Sequence, residues 1–207
     1  MIEIKDATIT IAGKTLLEDC SFMARKGQIT AIVGCNSEAL TALVHAFLGF
    51  LPLNKGYVSI DGEEIMSLSA PFFRQKIAYV PVNFAFENIQ VSELLHTLMG
   101  NSQQMRKEQK KALWKEWEAL AIERTCYDAV WESLPTDVQQ RIVLSVAGML
   151  DRKMILMNQP TFYQTEESRM VVTSYIKSLR SEDSIVCFTT MDEESAQVAD
   201  VIVKLTK

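Results

Sequence analysis

Four short apolar runs, Ile29–Val33, Met154–Met157, Ile185–Phe188 and Val201–Leu205, show little of the alternation that marks a half-exposed strand. Strands buried on both faces read this way, and they belong to mostly parallel sheets covered by helices. Tyr57–Ile60 and Ile77–Val80 also read as strands. Helical patterns lie between them: Ala39–Leu51 follows the first buried run, Val138–Leu150 precedes the Met154 run, and Glu166–Leu179 follows it. This succession argues for an α/β fold with right-handed crossovers. A length of 207 residues suits one domain, or one with a sub-domain.

The middle of the chain departs from this pattern. From Val91 to Trp131 there is no strand signal, only helix-forming composition. Leu113, Trp117 and Leu120 share one helical face, flanked by Trp114 and Ala121. The segment reads as a helical insertion into the α/β core. Within it, Arg106–Lys115 carries five basic residues and a tryptophan. A nucleic-acid patch has such a composition, but Glu108, Glu116 and Glu118 balance it, and a solvated helix face is the expectation. The net charge of −5 and a pI near 5.2 also argue against a nucleic-acid partner, whose binding surfaces are basic.

Met1-Ile2-Glu3-Ile4-Lys5-Asp6 lacks the basic start and apolar run of a signal peptide. The longest nearly apolar stretch, Ala42 to Leu53, is interrupted by His45 and Pro52 and is too short for a bilayer. A cytoplasmic location is therefore expected. The four cysteines, Cys20, Cys35, Cys126 and Cys187, form no CxxC pair and read as small buried hydrophobes. With only His45 and His96 besides, no metal site is expected.

The run Ile29–Val33 enters Gly34-Cys35-Asn36-Ser37-Glu38-Ala39-Leu40-Thr41 and then a helix. Strand, eight-residue loop and helix is the layout of the phosphate-binding loop G-x-x-x-x-G-K-S/T. Gly34 and Thr41 stand at its ends, while Ala39 and Leu40 replace its second glycine and its lysine. Alone, this match is weak. Around it stand Gly13-Lys14-Thr15-Leu16-Leu17-Glu18-Asp19-Cys20-Ser21-Phe22, Lys26-Gly27-Gln28-Ile29, Gly56, Ile60-Asp61-Gly62 and Ile77-Ala78-Tyr79-Val80-Pro81. Leu134, Gln139-Gln140-Arg141, Pro160-Thr161 and Ala199-Asp200 follow. In this order and spacing the chain resembles the nucleotide-binding domain of ATP-binding cassette (ABC) transporters, from Ile2 to Leu205.

The resemblance implies a P-loop NTPase-like ABC ATPase fold: a mostly parallel core sheet, an N-terminal antiparallel β part and a helical sub-domain. Residues 1–207 would form one nucleotide-binding domain, with the helical sub-domain at about 84–133. It also implies a vestigial nucleotide loop at Gly34, Asn36, Ser37, Ala39, Leu40 and Thr41. Leu40 stands at the Walker A lysine, and Ser37 and Ala39 at its flanking glycines. Losing the lysine's charge-assisted bond, roughly 1.5–3 kcal/mol, should cost about 10–100-fold in affinity. Glu38 adds a negative charge. Thr41 keeps a hydroxyl that either faces Mg²⁺ or serves the helix start.

At the other positions the resemblance implies equal loss. The two Walker B acids, which orient Mg²⁺ and activate water, read Asn158 and Gln159. Amides keep the shape of the acids, bind Mg²⁺ poorly and cannot act as bases near neutral pH. General-base catalysis typically contributes 10²–10⁴-fold. The signature LSGGQ reads Leu134, Pro135, Thr136, Asp137 and Val138, with Asp137 expected to cap the following helix. The Q-loop glutamine falls at Val82, the switch histidine at Thr190 and the adenine-stacking aromatic at Ile11. The D-loop reads Phe162-Tyr163-Gln164-Thr165. Only 8 glycines occur, against roughly 14 at average usage, and Ser37, Ala39, Thr136 and Asp137 account for part of the shortage.

Framework positions persist while phosphate, metal and water positions do not. The expectation is a degenerate, catalytically inactive subunit, structural or regulatory, paired with a membrane permease or with another ABC ATPase subunit in a homo- or heterodimer. It would sit in the cytoplasm, peripheral on the inner face of the cell membrane. No cofactor is expected, although weak ATP/Mg binding through backbone amides stays open. Two alternatives stand: an ATP-binding transport subunit with non-standard binding and hydrolysis, and a soluble interaction module without a membrane partner.

Overall fold

The computed structural model describes residues 1–100, 107–150 and 152–205. The chain begins with β1 (Ile2–Ile11), β2 (Lys14–Ala24) and β3 (Gln28–Val33), followed by α1 (Ser37–Phe47), β4 (Lys55–Ile60) and the short β5 (Glu63–Glu64). Then come α2 (Ala70–Arg74), β6 (Ile77–Val80), α3 (Val91–Leu98) and α4 (Lys107–Ala119). Two 3₁₀ turns, Arg124–Asp128 and Trp131–Ser133, lead to α5 (Thr136–Met149), β7 (Met154–Asn158), α6 (Glu166–Ser178), β8 (Ile185–Thr190), α7 (Glu193–Ala196) and β9 (Val201–Lys204).

The strands form two sheets. One is antiparallel, in the order β2-β1-β4-β5; the other is parallel, in the order β6-β7-β8-β3-β9. Helix α1 lies between them. The expected unalternating strands have a simple cause: successive residues feed two different cores. Ile32, Leu156 and Cys187 face α1 and the antiparallel sheet, whereas Ala31, Met157 and Phe188 face the helical segment and α6. Full burial of an Ile, Leu, Met or Phe side chain of this kind is worth roughly 1.5–3 kcal/mol. Gly56 lets β4 approach β1 at an irregular point of their pairing. Its φ is +77°, and a Cβ there would stand 2.1 Å from the Lys5 carbonyl oxygen.

One strand differs from expectation. β9 is an edge strand with half-buried and exposed residues in alternation, and Ile202 is exposed. An edge strand at the rim of the helical cover is buried on one side only. The middle segment is helical as expected where described: Leu113, Trp117 and Leu120 are fully buried. The 101–106 stretch of that segment, including Arg106 of the basic run, lies outside the described residues. Trp114 is spent internally, edge-on to Trp117 and Tyr127 at 5.3 and 5.4 Å, with Lys110 over the Tyr127 ring at 4.3 Å.

The cysteines divide. Cys187 is buried, and burial pushes its thiol up to about 12; Cys20 is half-buried and raised to about 11 by burial and by Asp19. Cys126 is half-buried, but Cys35 is exposed, contrary to the expectation of burial, because it sits on the open loop after β3.

Candidate functional site

β3 runs parallel to β8, so the loop after β3 emerges beside the end of β8. The Gly34 amide donates to the Thr190 carbonyl at 3.1 Å. The loop then closes on itself. Asn36 is the N-cap of α1: its side-chain oxygen accepts from the Glu38 amide at 2.9 Å, and its carbonyl accepts from the Leu40 amide at 3.1 Å. Three amides at the head of this loop and helix are thus occupied by the protein itself. The Glu38 carboxylate pairs with Lys14 at 3.1 Å, both groups being exposed.

Leu40 does not face the loop. It is fully buried, among Ile32, Leu43 and Leu156, and its Cδ2 lies 3.0 Å from where a Gly34 Cβ would stand. Ala39, next to it, is buried too. The positions of the family's glycine and lysine have joined the apolar core, and Gly34 leaves room for Leu40.

β7 lies between β6 and β8, and its carboxyl end reaches under α1. There the two amides bond into the helix and the neighbouring strand. Asn158 Nδ2 donates to Thr41 Oγ1 at 3.1 Å, and Asn158 Oδ1 accepts from Thr189 Oγ1 at 2.9 Å. The Gln159 amide donates to Thr189 Oγ1 at 3.1 Å, and Gln159 Nε2 donates to Ser37 Oγ at 2.8 Å. Burial pushes the Tyr79 phenol up, against a hydrogen bond with Asn158. Asn158 is 0% exposed and Gln159 2%, Ser37 and Thr41 are half-buried, and no member of the network carries a charge. Gln159 holds a left-handed φ of +50°, which an ordinary side chain seldom adopts. Its Oε1 is buried without a hydrogen-bond partner among the described residues.

The signature segment runs from Leu134 into α5. Pro135, not Asp137, occupies the N-cap position and makes no side-chain cap. Proline fixes the chain's entry and leaves Asp137 inside the first turn, where it pairs with Arg141 Nη2 at 3.1 Å. Arg141, buried, also donates to the Leu120 and Ala121 carbonyls at 2.9 Å. Thr136 is exposed and Val138 half-buried. Gln140 Nε2 donates to the Gln159 carbonyl at 3.1 Å, and Gln140 Oε1 accepts from Gln164 Nε2 at 2.9 Å. These bonds join the signature helix to the turn after β7.

Val82 is buried, and Phe84 beyond it packs edge-on against Trp131 at 5.5 Å. Thr190 is buried; its hydroxyl accepts from the Asp192 amide at 3.0 Å and closes its own turn. Ile11 stands exposed at the end of β1. Hydrogen bonds therefore join Ser37, Thr41, Asn158, Gln159 and Thr189. Val82 and Ile11 lie outside that cluster of bonds, and of the signature residues Asp137 reaches it through its carbonyl, which accepts from Gln164 Nε2 at 3.0 Å, Gln164 being bonded in turn to Gln140 and Gln140 to Gln159.

The sequence reading missed one feature, a cleft of about 320 Å³ beside the loop. Thr15, Leu16, Leu17 and Glu18 of β2 line it, with Gly34, Cys35 and Asn36, and Leu205 beyond β9. The Thr15–Glu18 stretch that forms its wall carries no motif chemistry that would reveal it. Among the described residues no group of three or more His, Cys, Asp or Glu is placed to hold a metal ion, and no helix is long and apolar enough to cross a membrane.

A family model described as ABC transporter matches residues 17–162. The chain is 26% identical over 213 residues to the ribose import ATP-binding protein RbsA of Bacillus licheniformis, an alignment covering 97% of this chain and 42% of that protein. It is 24% identical over 220 residues to the phosphonates import ATP-binding protein PhnC of Treponema denticola, covering 99% and 86%. The chain thus spans about two-fifths of RbsA's length and most of PhnC's. Among solved structures, the dimeric structure of MJ0796, a bacterial ABC transporter cassette, matches with a TM-score of 0.81 at 19% identity, covering 99% of this chain and 94% of that one. That match shows the α/β ABC cassette fold.

Proposed function

This chain belongs to the ABC transporter family, and we propose that it serves there as a degenerate subunit that neither binds Mg·ATP in the family's manner nor hydrolyses it. The observation that carries this reading is the neutral network of Ser37, Thr41, Asn158, Gln159 and Thr189. ATP and Mg²⁺, which the family implies, need anionic oxygen near the metal and cationic or amide donors near the phosphates. The residues present do not fit. Asn158 presents an N–H to Thr41, Leu40 is buried in the core, and the orphaned Gln159 Oε1 is an acceptor that would repel a phosphate oxygen. No catalytic step is assigned to these residues.

In this reading the chain is a structural or regulatory partner of a membrane permease, or of a second ABC ATPase subunit, at the cytoplasmic face of the membrane. A partner's intact loop would meet Pro135 and Asp137 here, one lacking an N–H and the other negative. A standard ATP sandwich then forms at neither site of such a pair. The whole of residues 1–207 acts as one cassette, with its helical part at about 84–133.

A second reading is favoured by the cleft beside Gly34 and Asn36: a weak, non-standard ATP-binding subunit. Calorimetric titration of the full chain with Mg·ATP separates the two. The degenerate reading expects no binding tighter than millimolar. Micromolar binding abolished by Thr41→Arg would establish the second reading instead. Co-purification with a permease or a second cassette subunit tests the partner.

A further inference from the structure

At the end of the parallel sheet remote from the loop, the strands begin with lysines. Lys76 immediately precedes β6, Lys153 immediately precedes β7, and Lys26 lies two residues before β3. Register brings them together. Ile77 pairs with Met154, Met154 with Ile185, and Ile185 with Gln28, so the lysine stems leave one sheet edge side by side. With Arg152 they line a pocket of about 260 Å³, four cations against the carboxylates of Asp61 and Asp183 among the described residues. This local excess stands in a chain whose net charge is −5.

Both carboxylates are engaged. Asp183 pairs with Lys153 at 3.7 Å, and Asp61 accepts a bond from the Met1 amino group. That bond first, with Lys26 and Lys76 nearby adding less, holds the Asp61 carboxyl below its usual range against the opposing effect of burial. Lys76 is steered by the Phe72 ring, 3.9 Å from its Nζ. Arg152 makes no salt bridge among the described residues, and its planar fork suits a phosphate oxygen pair. Met154 and Ile185 supply an apolar wall. The volume falls just below that of small-ligand clefts, about 300–1,000 Å³.

We propose that this pocket binds a small phosphate monoester, its dianion held by Lys26, Lys76 and Arg152 and its short organic part against Met154 and Ile185. Neither the family's nucleotide loop nor the amide network takes part. The same chemistry is offered by a free phosphorylated metabolite and by the headgroup of phosphatidic acid.

Titration of the full chain with glycerol 3-phosphate at low salt, followed by ³¹P NMR, tests the free source. Co-sedimentation with vesicles of phosphatidylcholine, with and without phosphatidic acid, tests the lipid source. The expected result is saturable binding in one arm, weakened about tenfold or more by Arg152→Gln and again by Lys76→Gln, in line with the loss of a charge-assisted bond each time. Both positions are exposed, so the variants should melt like the parent, and that is measured alongside. Binding of glycerol 3-phosphate alone identifies a free ligand, and binding to phosphatidic-acid vesicles alone a headgroup. Binding in neither arm, or binding that both variants leave unchanged, overturns the proposal.

Discussion

Asn158 donates its side-chain N–H to Thr41 Oγ1 at 3.1 Å while its carbonyl oxygen accepts from Thr189. One amide thus ties α1, β7 and β8 together with no charge. Restoring the family's acid, Asn158→Asp, removes the donor to Thr41 and buries a carboxylate. The expected cost is about 1–3 kcal/mol at neutral pH, or roughly 2–10 °C in melting temperature for a chain of this length. A buried carboxyl titrates above its unfolded value, so the deficit should grow as pH rises through the unfolded value near 3.9 and fade in acid. Melting curves from pH 4 to 8, with and without Mg·ATP, check this. A rise in melting temperature on adding Mg·ATP would show that a metal–nucleotide site remains latent.

Leu40 permits a complementary test. It is fully buried, so Leu40→Ala should destabilise by about 2–5 kcal/mol through lost transfer energy and a cavity. Leu40→Lys, which restores the family's lysine, must place an ammonium in the same apolar pocket and should cost at least as much. Denaturant unfolding measures both. Neither variant should gain affinity for Mg·ATP, because the lysine stem starts inside the core.

The parallel sheet was legible in the sequence because both of its faces are buried: Ala31 and Ile32 pack on opposite sides, and so do Leu156 and Met157. An apolar run shows two-sided burial directly. β9 differs because Val201-Ile202-Val203 is apolar for another reason, an edge strand's propensity, and composition does not reveal which strand has no second neighbour. In the site, the exchanged residue types at positions 40, 158 and 159 were legible, but their bonding was not. That Gln159 reaches Ser37, 122 positions away, follows from β7 ending beneath α1. Asp137 looked like a helix cap because a short polar residue preceded an apolar run. Arg141, four residues on, takes it for an ion pair instead. The cleft at Thr15–Glu18 left no trace because β2 pairs irregularly with β1, and its burial follows no period.

Gly148 couples the helical segment to α6. Tyr175 donates to Glu116 Oε2 at 2.5 Å, and a Cβ at Gly148 would stand 2.1 Å from that hydroxyl and 2.5 Å from the carboxylate oxygen. Burial, with Glu116 beside it, raises the Tyr175 phenol far above its usual range, so it remains a donor. Gly148→Ala should destabilise by about 1–3 kcal/mol through overpacking. Tyr175→Phe alone should cost about 1–2 kcal/mol by removing the bond. In the double variant the clash with the hydroxyl is gone, so the two costs should fall short of adding by about 0.5–1 kcal/mol. Strict additivity in a double-mutant cycle would contradict the geometry.

Asp200 fixes the entry to β9. Its Oδ2 accepts from the Ile29 amide and its Oδ1 from Arg180 Nη1, each at 2.8 Å, while its own amide donates to the Ile29 carbonyl at 2.9 Å. The Ile29 amide, and Arg180 after it, hold the carboxyl below its usual range against slight burial. A depressed folded value means that the charged form stabilises the fold. This contribution is complete above the unfolded value near 3.9 and is lost as pH falls through the folded value. Asp200→Asn should therefore lower stability most at neutral pH, with the gap to the parent narrowing below about pH 4. The carboxyl is partly exposed, so added salt should shrink the part due to Arg180 and leave the Ile29 bond. Unfolding by denaturant between pH 3 and 7 reads the difference. A gap that stays constant across that range would mean that the carboxyl's charge has no role at this junction.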